Sequence, residues 1–183
     1  MKPETTPAAL AKKYELSIVI KAGQEMLMCP PRLAATVKRD GAGPLIKAHK
    51  PEIIAWLKTR EAEANAAAET RRAKIAAIPG LAEIRAAQND VAAWDKEFNR
   101  LAESEDGVSV FRARPQYDFA AMSAKYPQAA AYLKAESLSL KSNYELAAIG
   151  DKALEMVIDG EWQAALDYIK VENDKFVERH LWD

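Results

Sequence analysis

Residues 14–31, YELSIVIKAGQEMLMCPP, decide how the rest of the chain is read. Leu16, Ile18 and Ile20 alternate with Ser17 and Val19, and Lys21-Ala22-Gly23-Gln24 has the composition of a turn. A second apolar run, Met26-Leu27-Met28-Cys29, follows and is stopped by Pro30-Pro31. Two short runs around a Gly-containing turn predict a β-hairpin. An isolated hairpin is marginal in water, so a neighbouring helix must cover one of its faces.

Working outward, that cover comes directly afterwards. Pro31 to Lys38 reads as a short helix with Leu33 and Val37 four apart, ended by Asp40-Gly41. Gly43-Pro44 opens a second segment carrying Leu45, Ile46 and Ala48. Pro51, with no backbone N–H, either kinks this helix or starts a new one, and Ile53, Ile54, Trp56 and Leu57 then supply an apolar stripe. Residues 14–58 are therefore expected to form a ββαα unit, preceded by a flexible, fraying N-terminus over 1–13 that holds Pro3 and Pro7.

Beyond Leu57 the chain changes character. From Lys58 to Lys74 its only apolar residue is Ala, which favours helix but buries little area. Ile84, Ala87, Val91, Trp94, Phe98 and Leu101 then recur at 3-4-3-4-3 spacing, an a/d seam. An antiparallel helical hairpin around Pro79-Gly80 would pair this seam with Ile53, Leu57, Ala64, Ala67 and Ile78. Because that partner face is mostly Ala, a second chain is the other way to complete it, and Val91, Trp94, Phe98 and Leu101 are candidate homodimer contacts.

Residues 104–118 read as a loop with a short extended piece at Val108–Arg112. Helices follow from Phe119 to Lys125, from Pro127, from Asn143 to a stop at Asp159-Gly160, and through Trp162, Leu166, Ile169 and Phe176. The predicted class is mainly α with a small N-terminal α+β unit. The ββαα domain (14–58) precedes a long helical hairpin or connector (59–103) and a helical C-terminal domain (104–183), with about seven helices in all.

Composition bounds the function. The 183 residues are 49% hydrophobic and 29% charged, ordinary for a globular chain. One cysteine, Cys29, excludes an intramolecular disulfide framework and fits a reducing compartment. No apolar run approaches the ~18 residues of a membrane span, and the N-terminus lacks a signal-peptide h-region, so the cytoplasm is the expected location and no membrane contact is expected.

Signatures of catalysis are scarce. His49 and His180 have no partner at metal-ligand spacing, and structural zinc generally takes four Cys/His ligands. Cys29 with His49 is the one conceivable nucleophile–base pair, and a buried structural Cys is the simpler reading. No strand-linked GxGxxG, Walker A or GxSxG sequence occurs. The expectation is a protein that is not an enzyme, with no cofactor and no metal.

Charge is more informative. Residues 1–60 hold eleven Lys/Arg against five Asp/Glu, net +6, while residues 61–183 hold fifteen against twenty-two, net −7. Lys21, Arg32, Lys38, Arg39, Lys47, Lys50, Lys58 and Arg60 are the candidate partner- or nucleic-acid-binding residues. Such density suits phosphate contact driven by counterion release, although nothing marks a base-reading helix.

Residues 14–58, with Lys47 to Leu57 reading KAHKPEIIAWL, resemble the N-terminal docking domain of tubulysin-type megasynthases. The resemblance implies a hairpin followed by helices that together hold a short segment of a partner subunit. The second strand, Glu25–Met28, with Lys21 and Arg32, would be the receiving edge, as an unpaired strand edge can accept another strand. IPGLAEIRAAQNDVAAWDKEFNRL (78–101), the stretch from Tyr126 to Gly160 and the terminal HLWD resemble proteins of phages and mobile elements. Some of those proteins are anti-CRISPR inhibitors. The resulting expectation is a non-enzymatic phage or mobile-element protein that binds a macromolecular machine, most specifically a CRISPR effector nuclease of the Cas9 type. The alternatives are a docking adaptor that captures a peptide at its hairpin edge, or a nucleic-acid-binding accessory protein.

Overall fold

The computed structural model describes residues 6–102 and 113–180. Among these residues are nine helices and one hairpin, in the order α1 (Pro7–Lys13), β1 (Ser17–Lys21), β2 (Gln24–Met28), α2 (Pro31–Arg39), α3 (Gly43–Ala48), α4 (Lys50–Ala76), α5 (Leu81–Ala102), α6 (Phe119–Lys125), α7 (Pro127–Ser139), α8 (Tyr144–Ile158) and α9 (Trp162–His180). The protein is thus mainly α with a small N-terminal α+β unit. The extended piece expected at Val108–Arg112 lies outside the described residues. No helix among the described residues is long and apolar enough to cross a membrane.

The chain divides into two compact units, 1–70 and 71–183, with the division inside α4. Residues 59–103, expected to be one connector, are therefore shared between the units.

In the first unit β1 and β2 pair antiparallel, Ser17 opposite Met28 through Lys21 opposite Gln24. The turn is tighter than its composition suggests, since Lys21 and Gln24 belong to the ladder and only Ala22 and Gly23 lie outside it. Both have positive φ, 50° and 76°, the two-residue arrangement whose twist matches the strands. Residues opposite one another share a face, so Leu16, Leu27 and Cys29 point toward the core while Val19, Met26 and Met28 point away from it.

The core of this unit is Leu10, Ala11, Tyr14, Leu16, Ala42 and Ile53, with Leu27, Val37, Ile46, Trp56 and Leu57 packed on it. For residues 6–13, the buried Leu10 and Ala11 correct the expectation of a fraying terminus. Thr6 accepts a hydrogen bond from the Ala9 N–H at 3.2 Å, Pro7 sits in the first turn, and the helix they start buries both side chains. Pro51 resolves as the start of a new helix, in the first turn of α4, rather than as a kink.

The second unit packs α8 against α7 and α9. Ala129, Ala131, Ala135, Ala153 and Ala165 are fully buried at 0% exposure, so small side chains let these helices approach closely. Larger residues, among them Tyr132, Leu154, Val157, Ile158 and Ile169, fill the remaining space. Asn143 Oδ1 accepts from the Glu145 and Leu146 N–H groups and starts α8, as its position predicts.

The residues expected to pair α4 with α5 along one seam are divided between the two units. Ile53 and Leu57 pack in the first unit's core, Ile78 and Ile84 in the second's, and Ala64 and Ala67 are exposed.

Candidate functional site

The eight basic residues singled out from the sequence fall into two sets. Arg32 forms an ion pair with Glu15, Arg39 Nε lies 3.3 Å from Asp40, and Lys58 Nζ lies 2.6 Å from Glu25. Arg60 stands over the Trp56 ring at 5.5 Å, and Lys12 over the same ring at 5.9 Å. These cations already have partners. Lys21, Lys38, Lys47 and Lys50 make no ion pair among the described residues, and only Lys50 of the four is even half-buried. Lys21 ends β1, Lys38 lies in the last turn of α2, Lys47 in the last turn of α3, and Lys50 opens α4.

Asp40 organises one corner of this unit. It accepts from Lys13 Nζ at 3.1 Å, from the Tyr14 hydroxyl at 3.1 Å and from Arg39. The Lys13 hydrogen bond, joined by those from Tyr14 and Arg39, holds its carboxyl below the ordinary aspartate value, and the same contact raises the Lys13 ammonium.

The hairpin is the most apolar exposed feature of the unit. Met26 and Met28 on its outward face are 43% and 51% exposed, and Ile20, at the turn end, is 77% exposed. β1 and β2 form a sheet of two strands only, so each leaves an edge unpaired by any strand among the described residues.

Cys29 and His49 are each engaged locally. The Cys29 thiol lies 3.5 Å from the carbonyl oxygens of Tyr14 and Pro30, while His49 Nδ1 lies 3.8 Å from Glu52. Among the described residues no three His, Cys, Asp or Glu side chains are grouped to hold a metal ion.

The candidate self-association stripe lies on α5. Val91, Trp94, Phe98 and Leu101 are each half-buried, and the Trp94 and Phe98 rings stack at 4.9 Å. Its first members, Ile84 and Ala87, are buried inside the second unit itself. The return segment is tied to the same helix: Arg114 makes two hydrogen bonds to Asp95, at 2.9 and 3.0 Å, and the Tyr117 hydroxyl donates to Asp90 at 3.0 Å. Sequence reasoning placed 104–118 in a loop and gave no hint of this clamp, because nothing in local spacing couples positions 19 and 27 residues apart.

No family model, curated protein or solved structure matches the chain.

Proposed function

We propose that the protein is a non-catalytic interaction protein whose first unit docks an extended segment of a partner protein along its hairpin. The observation that carries this reading is the two-stranded sheet with apolar Met26, Met28 and Ile20 exposed around its unpaired edges. Exposed edges of this kind are ordinarily blunted with charge or cover, and strand addition uses both their backbone groups and the alternate side chains beside them. Lys21 at the turn end favours an acidic segment, with complementarity acting mainly on association rate and specificity.

A CRISPR effector nuclease of the Cas9 type is the specific partner we put forward. Residues 61–183, net −7, have the charge to oppose a Lys/Arg-rich channel of the kind such nucleases use to hold nucleic acid. Direct nucleic-acid contact is a second reading, favoured by Lys38, Lys47 and Lys50, which no carboxylate neutralises among the described residues.

Capture by the immobilised full chain from a bacterial lysate, with and without nuclease treatment, separates these readings. Hairpin docking requires nuclease-resistant capture that Met26→Asp/Met28→Asp abolishes and Lys38→Glu/Lys47→Glu/Lys50→Glu leaves intact. Nuclease-sensitive capture lost in the lysine variant selects nucleic acid instead. Capture indifferent to both variants rejects both surfaces.

A further inference from the structure

The second unit carries a groove of about 670 Å³ between α7 and α9, floored by Leu138, Leu166 and the buried Ile169. Four charged groups rim it: Lys134 from α7, and Asp167, Lys170 and Asp174 from α9. None of the four makes an ion pair or side-chain hydrogen bond with another described residue. Elsewhere on α9, Lys175 pairs with Glu172 at 2.7 Å and Arg179 with Glu145 at 2.9 Å. Asp167 and Lys170 are three apart and Lys170 and Asp174 four apart, spacings at which pairs form readily on a helix surface. Here they stay open.

The same stripe continues one turn further to Val177, an aliphatic residue 44% exposed. Gln163, Leu166, Asp167, Lys170, Asp174 and Val177 thus follow one line down α9, roughly 21 Å long at 1.5 Å per residue. Asp167 and Lys170, of opposite sign and three apart, become complementary to themselves when two copies of the helix run antiparallel about an axis between them.

We infer that this face binds a second copy of the chain, α9 seating beside the partner's α9 about a two-fold axis. An axis crossing the helix between Tyr168 and Ile169 sets Asp167 opposite the partner's Lys170, and Lys170 opposite the partner's Asp167. It also sets the Gln163 amide opposite the partner's Asp174 carboxylate. Every contact occurs twice, as an isologous interface requires. Leu166, part of the groove floor, would then be covered by the partner's α9. This surface is separate from the α5 stripe and from the hairpin.

A charge swap tests it. Sedimentation of the full chain at roughly 100 µM, within reach of a small interface, should show a dimer that weakens with salt. Asp167→Lys and Lys170→Asp should each give monomer, since each places like charges opposite one another twice. Asp167→Lys with Lys170→Asp in one chain should restore the dimer, because the pairs reform with signs exchanged. Far-UV circular dichroism melts of each variant establish that the helices remain folded. A monomeric wild type, a double variant that does not recover, or a dimer lost only on Trp94→Ala would overturn the inference.

Discussion

The Tyr14 hydroxyl, at the end of α1, donates to Asp40 at the end of α2 across 3.1 Å, and so joins two helix termini that lie on either side of the hairpin in sequence. Tyr14 is 2% exposed, so its ring is core and its oxygen needs a partner. Tyr14→Phe keeps the ring and removes the donor. It should lower the stability of the first unit by about 1 kcal/mol, the usual net worth of a hydrogen bond, measurable by chemical denaturation. An unchanged midpoint would mean that the hydroxyl finds water equally well.

Asp40 also sets a pH dependence. Its folded carboxyl lies below the ordinary value of 3.8, chiefly through the Lys13 hydrogen bond. A depressed carboxylate stabilises the folded state fully above its unfolded value and loses that contribution as pH falls through the folded value. Asp95, held down by Arg114, Glu97 by Arg100 and Glu172 by Lys175 act in the same direction. Acid unfolding should therefore steepen below about pH 4. Asp40→Asn should flatten the acid limb while leaving the profile near neutrality parallel to wild type. Thermal melts between neutral pH and acid would read both.

Ala22 sits at φ 50° in the hairpin turn. For a residue with a Cβ, left-handed backbone costs about 1–2 kcal/mol, and Asn or Gly tolerates it better. Ala22→Asn creates the Asn-Gly sequence that such turns prefer and should stabilise the first unit by about 0.5–1 kcal/mol. Equal stability in urea titrations would show that the strain is absorbed elsewhere. The gain should leave partner capture unchanged, since neither strand moves.

The sequence made some of this legible and hid the rest for identifiable reasons. The hairpin was readable because alternation at Leu16–Ile20 and the Pro30-Pro31 stop are local signals, and Pro, Asn and Gly marked most helix ends, although about seven helices were expected against nine among the described residues. α1 was missed although Thr6-Pro7 is a helix-start signal, because Leu10 alone offered no periodicity to support it. The seam on α5 has a true helical period whose first members, Ile84 and Ala87, turn inward to their own unit, while Ala64 and Ala67 on α4 are exposed. Of the eight basic site candidates, sequence position could not tell Lys38, Lys47 and Lys50 from Arg32 and Lys58. The carboxylates that engage the latter two, Glu15 and Glu25, lie 17 and 33 residues away.

Basic residues without carboxylate partners should dominate any polyanion binding. If the first unit meets nucleic acid, Lys38→Glu/Lys47→Glu/Lys50→Glu should reduce the slope of log K against log salt by about 3 for three lost phosphate contacts. Arg32→Glu and Lys58→Glu should change it less, because each cation already serves Glu15 or Glu25. Fluorescence anisotropy with a labelled oligonucleotide across a salt series distinguishes the sets. Equal effects would show that the intramolecular pairs open on binding.

Gly150 tests the packing of the second unit more sharply than any core truncation. It lies inside α8, where alanine would ordinarily be preferred by about 1 kcal/mol. A Cβ at this position, however, would meet the Ser139 backbone nitrogen at 2.1 Å and the Ala135 carbonyl oxygen at 2.7 Å. These are backbone atoms of α7 and cannot rotate away. Overpacking of this kind costs about 1–3 kcal/mol, which exceeds the propensity gain, so Gly150→Ala should destabilise the unit and lower its melting temperature by several degrees. Ala148→Gly, an exposed position two residues earlier on the same helix, supplies the contrast: it too should destabilise, by about 1 kcal/mol, but through propensity alone. A stabilising Gly150→Ala in calorimetry would mean that α7 and α8 stand further apart than the buried alanines between them imply.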